Sequence, residues 1–277
     1  MDIESVCCVC FSPTGTTKAI AESIAQGIGA GRTDMVDITR RSDRPERPLS
    51  FTQDLVIVAV PVYYGRVPEE IASYLATCHA EQTAVVPVVV YGNRAFDDAL
   101  KELHDIALGC GFRPVAGGAF VAEHSYSSTA TPIAVDRPDS SDLEKALEFG
   151  TTIRGLLDGV RSLDELPPLA VPGEVPETEP ENLTMIKAAR EFVALTPETD
   201  ASRCNQCMAC VEACPTGAIS PGDITQTDRW QCILCFACVK GCPEGARQMN
   251  EPNFQAAIQG LHMACQERKE PEVFISG

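Results

Sequence analysis

The chain has 277 residues, enough for two domains, and 44% of them are hydrophobic, as expected for a globular protein with a packed core. A formal net charge of −17 argues against binding to nucleic acid, because the phosphates repel an acidic surface. No run of about 18 apolar residues occurs, so the sequence predicts no membrane span.

The first residues, MDIESVCCVCF, lack the basic segment that opens a secretory signal peptide. Free thiols persist in reducing compartments, so the 14 cysteines indicate a cytoplasmic protein. Six of these cysteines have no metal-binding spacing and are interpreted as small buried hydrophobic residues: Cys7, Cys8, Cys10, Cys78, Cys110 and Cys265.

A first buried strand is predicted over residues 3–11, and the hydroxyl-rich loop SPTGTT follows it directly. The next segment, AIAESIAQGI, has the apolar spacing of a helix. A strand, a small loop and a helix N-terminus together favour an anion such as phosphate. The alternative interpretation of the loop is a plain helix N-cap.

Further strands are predicted over residues 54–60, 83–91 and 113–122, and helices over residues 67–78, 95–109 and 139–160. This alternation predicts an α/β fold, a doubly wound parallel sheet with helices on both faces. Ligands of such sheets bind beyond the carboxyl ends of the strands. The loops at residues 12–17, 61–68 and 91–96 should therefore meet at one edge.

With these loops, residues 1–162 resemble a flavodoxin, which implies the strand order 2-1-3-4-5 and noncovalent binding of FMN. By this likeness Ser12, Thr14, Gly15, Thr16 and Thr17 hold the phosphate, and the flavin is contacted by Pro61, Val62, Tyr63, Tyr64, Gly65, Tyr91, Gly92, Asn93, Phe96 and His124. Tyr64 is the expected stacking residue, and Gly65 carries the peptide that can reorient toward flavin N5. Tyr91 and Asn93 are expected at the flavin edge. The alternatives are ordinary strand-end packing for the tyrosines and a structural role for His124.

Residues 163–196 are rich in proline and acids, which predicts a stiff linker with one helix near residues 182–194. Residues 251–277 are predicted to form a helical tail, with the helix near residues 253–267.

Between them, residues 197–250 carry the pattern C-x-x-C-x-x-C-x-x-x-C-P twice, with equivalent cysteines 28 positions apart. Its cysteines are Cys204, Cys207, Cys210 and Cys214, and then Cys232, Cys235, Cys238 and Cys242. Sets of four thiolates bind zinc or iron–sulfur clusters. Zinc sites use two separated C-x-x-C knuckles, so this spacing favours clusters over zinc or disulfides.

This stretch resembles the small α+β two-cluster ferredoxin domain, in which the fourth cysteine of each run ligates the other cluster. The likeness implies Cys204, Cys207, Cys210 and Cys242 for one [4Fe-4S] cluster. It implies Cys232, Cys235, Cys238 and Cys214 for the second.

The whole chain resembles the flavodoxin–ferredoxin fusions called EFR-type ferredoxins, through the phrases PVYYGRVP, YGNRAFDDAL and AEHSYS. We therefore expect a carrier that relays low-potential electrons between two [4Fe-4S] clusters, FMN and protein redox partners. The acidic surface indicates partners with basic docking faces. The alternative is an oxidoreductase that takes electrons from ferredoxin and reduces a small acceptor such as a quinone at FMN. A redox-sensing or scaffold role lacks a visible recognition element, and no catalytic residue is assigned.

Overall fold

A mostly parallel sheet with helices on both faces forms the larger part of the computed structural model, which describes residues 1–277. Its elements are β1 (Ser5–Cys10), α1 (Thr16–Ile28), β2 (Arg32–Asp37), β3 (Leu55–Pro61), α2 (Glu69–Leu75), β4 (Ala84–Tyr91), α3 (Ala99–Gly109), β5 (Arg113–Pro114), β6 (Ala116–Val121) and α4 (Ser140–Asp158). The parallel strands run β2-β1-β3-β4-β6, and β5 pairs with β4 just before β6 begins. The predicted doubly wound fold with order 2-1-3-4-5 is confirmed, with β5 and β6 as the fifth strand.

The central strands are apolar because helices cover both of their faces. All eight residues of β4 are buried. Helices α1 and α4 pack on one face, and α2 and α3 pack on the other, so that two large apolar clusters sandwich the sheet. None of the helices combines the length and the hydrophobicity needed to cross a bilayer.

Strand β2 was not predicted from the sequence. Its residues, RTDMVD, are exposed or half-buried because the strand lies at the edge of the sheet beside β1. An edge strand needs no continuous apolar run, so its local pattern resembles that of a loop.

After α4 the chain crosses the surface, anchored by the buried side chains of Leu166 and Leu169. Short 3₁₀ turns lie at Arg41–Asp43 and Leu163–Glu165. The linker helix α5 spans Glu181–Ala189 and contains no buried residue.

The cysteine-rich part has a duplicated structure. Strands β7 (Glu198–Thr199) and β8 (Arg247–Gln248) pair antiparallel, and the short helices α6 (Ala209–Glu212) and α7 (Ala237–Lys240) occupy equivalent positions in the two halves. The residue before each helix, Met208 or Phe236, has a left-handed backbone with φ of 65° or 59°. These turns bend the chain so that successive cysteines can face one centre.

The C-terminal segment returns to the α/β domain. Helix α8 spans Pro252–Ala264, and β9 (Glu272–Ile275) pairs antiparallel with β6 to extend the sheet by one strand. The tail predicted to be helical over residues 251–277 thus holds one helix and one strand. The strand could not be foreseen because its partner lies more than 150 positions earlier.

Polar contacts join the cysteine-rich part to the α/β domain and to the linker. The Arg41 N–H donates to the Pro215 carbonyl at 2.8 Å. Lys240 forms an ion pair with Glu123 at 2.6 Å, and the Arg190 guanidinium donates to the Cys232 carbonyl at 2.5 Å. These contacts place the second half of the cysteine motif beside the carboxyl edge of the sheet.

Candidate cofactor sites

The loop between β1 and α1 presents hydroxyl and backbone N–H groups at the sheet edge. The Lys18 N–H donates to the Ser12 hydroxyl at 3.0 Å, which holds the loop against the helix. The first N–H groups of α1, at Thr16 and Thr17, have no acceptor within the helix, and no acid lies in its first turn. The loop is therefore suited to a phosphate at the positive end of the helix dipole.

The loop after β3 makes a tight turn in which Tyr63 and Arg66 exchange N–H···O bonds of 2.9 and 3.0 Å. The two central residues, Tyr64 and Gly65, have φ of 57° and 79°, as in a type I′ turn. A Cβ on Gly65 would lie 2.4 Å from the Asp97 carboxylate. Burial raises the pKa of Tyr64 to about 12, and its buried hydroxyl lies beside Tyr126.

The loops after β4 and β6 meet at Gly92 and His124. A Cβ on Gly92 would lie 2.4 Å from Cδ2 of His124, so the close approach requires glycine. The Tyr126 N–H donates to Nδ1 of His124 at 3.1 Å, which puts the proton of the neutral imidazole on Nε2. Burial, together with the positive charges of Arg94 and Lys240, lowers the pKa of His124 to about 4. At neutral pH this ring is an uncharged Nε2–H donor.

These three loops share one cavity of about 470 Å³, which we call the flavin cavity. From the α/β domain it is lined by Thr14, Thr16, Pro61, Val62, Tyr63, Tyr64, Val90, Tyr91, Gly92, Arg94, Ala122, Glu123, His124, Ser125 and Tyr126. From α5, α8 and their neighbours it is lined by Asn182, Met185, Ile186, Ala189, Leu195, Glu251, Asn253, Phe254, Ala257, Ile258 and Leu261. Its volume is in the ordinary range for small-molecule sites.

Most of the residues predicted to bind FMN lie in or beside this cavity. Thr14, Thr16, Pro61, Val62, Tyr63, Tyr64, Tyr91, Gly92 and His124 line it. Ser12, Gly15 and Thr17 belong to the same phosphate loop, and Gly65 shapes the turn after Tyr64. Phe96 packs on Tyr91 with ring centroids 5.6 Å apart, so it supports the wall without lining it.

Asn93 is placed differently from the prediction. Its amide nitrogen donates to the carbonyls of Cys265 and Glu267 at 3.0 and 2.8 Å. Its amide oxygen accepts from the Lys269 N–H at 3.1 Å. Because the C-terminal segment occupies both ends of the amide, this side chain anchors the tail and does not reach the flavin cavity.

Two small cavities in the cysteine-rich domain are each surrounded by four cysteines. Cys204, Cys207, Cys210 and Cys242 surround the first, which we call the cluster 1 site. Cys214, Cys232, Cys235 and Cys238 surround the second, the cluster 2 site. Each set combines three cysteines of one run with the last cysteine of the other, as the crossed assignment requires. No group of three or more His, Cys, Asp or Glu side chains has the geometry to hold a single metal ion.

The sulfur of the last cysteine in each run accepts a backbone hydrogen bond. Ala218 N–H donates to Cys214 Sγ, and Ala246 N–H donates to Cys242 Sγ, both at 3.2 Å. Such bonds stabilise thiolate ligands and tune cluster potentials. The two sites differ in access, because Cys207 of the cluster 1 site is exposed whereas Cys235 and Cys238 are buried.

An aromatic group connects the cluster 2 site with the flavin cavity. Phe236 follows Cys235, and its ring centroid lies 4.5 Å from that of Tyr126. Tyr126 also contacts His124 at 4.8 Å and Phe254 of α8 at 5.2 Å. Sequence reasoning assigned Phe236 to no site and did not pair it with Tyr126. Their order in the chain gives no sign that they meet across the domain contact.

Comparison with known protein families supports the assignment of both domains. A flavodoxin domain model matches residues 8–96, and a 4Fe-4S dicluster domain model matches residues 203–247. No curated protein matches the chain.

Similar solved structures include a flavodoxin from the domain Archaea, 14% identical, with a TM-score of 0.40, covering 56% of this chain and 99% of its own. A WrbA-like flavodoxin from Agrobacterium tumefaciens is 16% identical, with a TM-score of 0.39, covering 56% of this chain and 98% of its own.

The residues present fit the cofactors that these domains imply. The phosphate loop and the cavity volume fit FMN. The two four-cysteine cavities fit [4Fe-4S] clusters. The chain is therefore a flavodoxin–ferredoxin fusion, an electron-transfer protein with FMN and two [4Fe-4S] clusters as its cofactors.

Proposed function

We propose that this protein relays low-potential electrons between its two [4Fe-4S] clusters, FMN and protein redox partners. The observation that carries the proposal is the position of Tyr126, which lines the flavin cavity and also contacts Phe236 beside Cys235. The clusters supply one-electron chemistry, and FMN accepts one or two electrons. The chain supplies a short, packed route from the cluster 2 site to the flavin cavity.

The distribution of exposure supports exchange with partners at the cluster 1 site. Cys207 is exposed there, whereas α5 and α8 cover the flavin cavity. A docked protein could therefore approach cluster 1 more closely than it could approach the flavin. The net charge of −17 favours partners with basic docking faces, whose association should slow as salt is added.

The proposal is tested by anaerobic purification with assays of FMN, iron and sulfide, followed by titration with dithionite. We expect about one FMN and about eight irons per chain, with flavin and cluster absorbance changing in resolved steps. Protein that holds iron but neither contains nor binds FMN would exclude the relay and leave the N-terminal half as a docking module.

A second candidate is the reduction of a small acceptor, such as a quinone, at FMN. The apolar wall that Met185, Ile186 and Phe254 add to the flavin cavity favours it, because flat apolar rings bind to such walls. Steady turnover of a quinone with reduced ferredoxin as donor would support this candidate. Electron exchange with proteins but no quinone turnover would support the carrier.

A further inference from the structure

Arg247 is the one charged side chain buried in the cysteine-rich domain, with 2% of its surface exposed. Its Nη1 donates to the Thr199 hydroxyl at 2.7 Å and to the Ile224 carbonyl at 3.3 Å. Its Nη2 donates to the Thr227 hydroxyl at 2.9 Å. The buried Nε has no partner, and no carboxylate forms an ion pair with this guanidinium.

In the internal duplication, Arg247 has no arginine as its counterpart in the other half. With the 28-residue offset, Arg247 corresponds to Ile219, a buried apolar residue, in the first half. The same offset relates Thr199 to Thr227, the two threonines that accept from the guanidinium. Arg247 therefore lies between the halves and binds an equivalent residue of each.

The position of Arg247 brings its charge to both clusters. The residue lines the cluster 1 site together with Thr199. Its Nη2 also lies 3.8 Å from Sγ of Cys238, which belongs to the cluster 2 site. At the equivalent place, Ile219 lines the cluster 2 site and carries no charge.

A buried cation without a counter-ion is strongly disfavoured, so the surroundings of Arg247 need negative charge. The neutral hydroxyls and the carbonyl on this side chain do not supply it. Clusters bound by four thiolates do supply it, on both sides. We propose that Arg247 is the shared counter-cation of the two clusters and raises the reduction potential of each. Reduction adds negative charge to a cluster, and a fixed nearby cation stabilises that charge.

This inference rests on the proposed cluster ligands, and the experiment separates the two. Arg247→Ile makes the halves alike, Arg247→Lys keeps the charge, and Ile219→Val is the matched control at the equivalent position. Iron content tests the ligands, and an anaerobic redox titration followed by EPR tests the role of the charge. In Arg247→Ile we expect the ratio of reduced to oxidised cluster at a fixed potential to fall about tenfold for both clusters, a shift of about 59 mV for one electron. Arg247→Lys should recover most of this shift, and Ile219→Val should resemble the wild type.

Wild-type potentials in an iron-loaded Arg247→Ile protein would overturn the proposal. If that variant does not retain iron, Arg247→Gln replaces it with a polar but neutral side chain. If Arg247→Ile and Arg247→Gln both lose their iron while Arg247→Lys retains it, the result would support the need for a cation at this position. If all three variants lose their iron, Arg247 would have a packing role alone. This outcome would overturn its proposed effect on the reduction potentials of the clusters.

Discussion

Tyr126 and Phe236 stack at a tilt of 51° with their ring centroids 4.5 Å apart, although they belong to different domains. Phe236 belongs to the loop that carries Cys235, and Tyr126 lines the flavin cavity beside His124. The contact between the domains is therefore also an aromatic connection between the two kinds of cofactor site. If the relay proposal is right, this pair should affect the rate of electron transfer more than it affects either cofactor.

We predict that Tyr126→Leu slows electron transfer between the clusters and the flavin severalfold. The substitution removes the ring that fills the space between Phe236 and the flavin cavity. It should also lower the free energy of unfolding by roughly 1–3 kcal/mol through the packing lost around Phe236 and Phe254. Tyr126→Phe keeps the ring and is the matched control. Anaerobic stopped-flow absorbance measures the rate. Unchanged transfer in a Tyr126→Leu protein with full FMN and iron would show that electrons take another route.

The crossed cysteine assignment predicts which substitutions should behave alike. Cys242→Ser should resemble Cys210→Ser, and Cys214→Ser should resemble Cys238→Ser, because each pair surrounds one cavity. Within a pair, the EPR spectrum of the remaining cluster should be the same, and iron should fall by up to about four atoms per chain. Cys7→Ser, in β1, is a control that should keep all of the iron. If Cys242→Ser resembled Cys238→Ser instead, each run would hold its own cluster.

The strands that could be predicted are those whose local sequence alone indicates that they are buried. β1, β3 and β4 are apolar on both faces, so their residues indicate strands without knowledge of the neighbours. β2 was missed because an edge strand can be polar, and β9 was missed because its pairing with β6 is long-range.

The candidate sites divide in the same way. The cysteine runs and the hydroxyl-rich loop lie on continuous segments, so the local sequence was enough to select them, and their cofactor roles came from the resemblance to known families. The cover of the flavin cavity by α5 and α8 depends on how distant segments pack, and the local pattern does not encode it. The same reason explains Asn93, whose hydrogen-bond partners lie more than 170 positions away.

We predict that protonation of His124 lowers the stability of the folded protein in mild acid. The folded protein holds the pKa of this imidazole at about 4, below its ordinary value of 6.5, so the unfolded chain binds more protons between these values. The contribution of the neutral His124 imidazole to the free energy of unfolding is fully present above pH 6.5 and is lost as the pH falls toward 4. The free energy of unfolding should therefore decrease by up to about 1.4 kcal/mol per pH unit across this window.

Thermal or denaturant unfolding between pH 5 and 7 measures this dependence, and His124→Gln is the comparison. The variant should show a smaller decrease than the wild type, because glutamine does not titrate. Parallel curves for the two proteins would show that His124 is not the group responsible.

Gly92→Ala should weaken FMN binding and destabilise the fold, because the added Cβ would lie 2.4 Å from the His124 ring and 2.8 Å from its Cα. Overpacking of this kind costs roughly 1–3 kcal/mol, and it would displace His124 from the wall of the flavin cavity. The matched control is Gly155→Ala in α4, where no atom lies within 4 Å of the added Cβ. There alanine should stabilise the helix by roughly 0.5–1 kcal/mol and leave FMN binding unchanged. Unfolding curves and flavin fluorescence titrations of the two variants measure both effects. Equal FMN affinity in Gly92→Ala and Gly155→Ala would show that the close approach of Gly92 and His124 does not shape the flavin site.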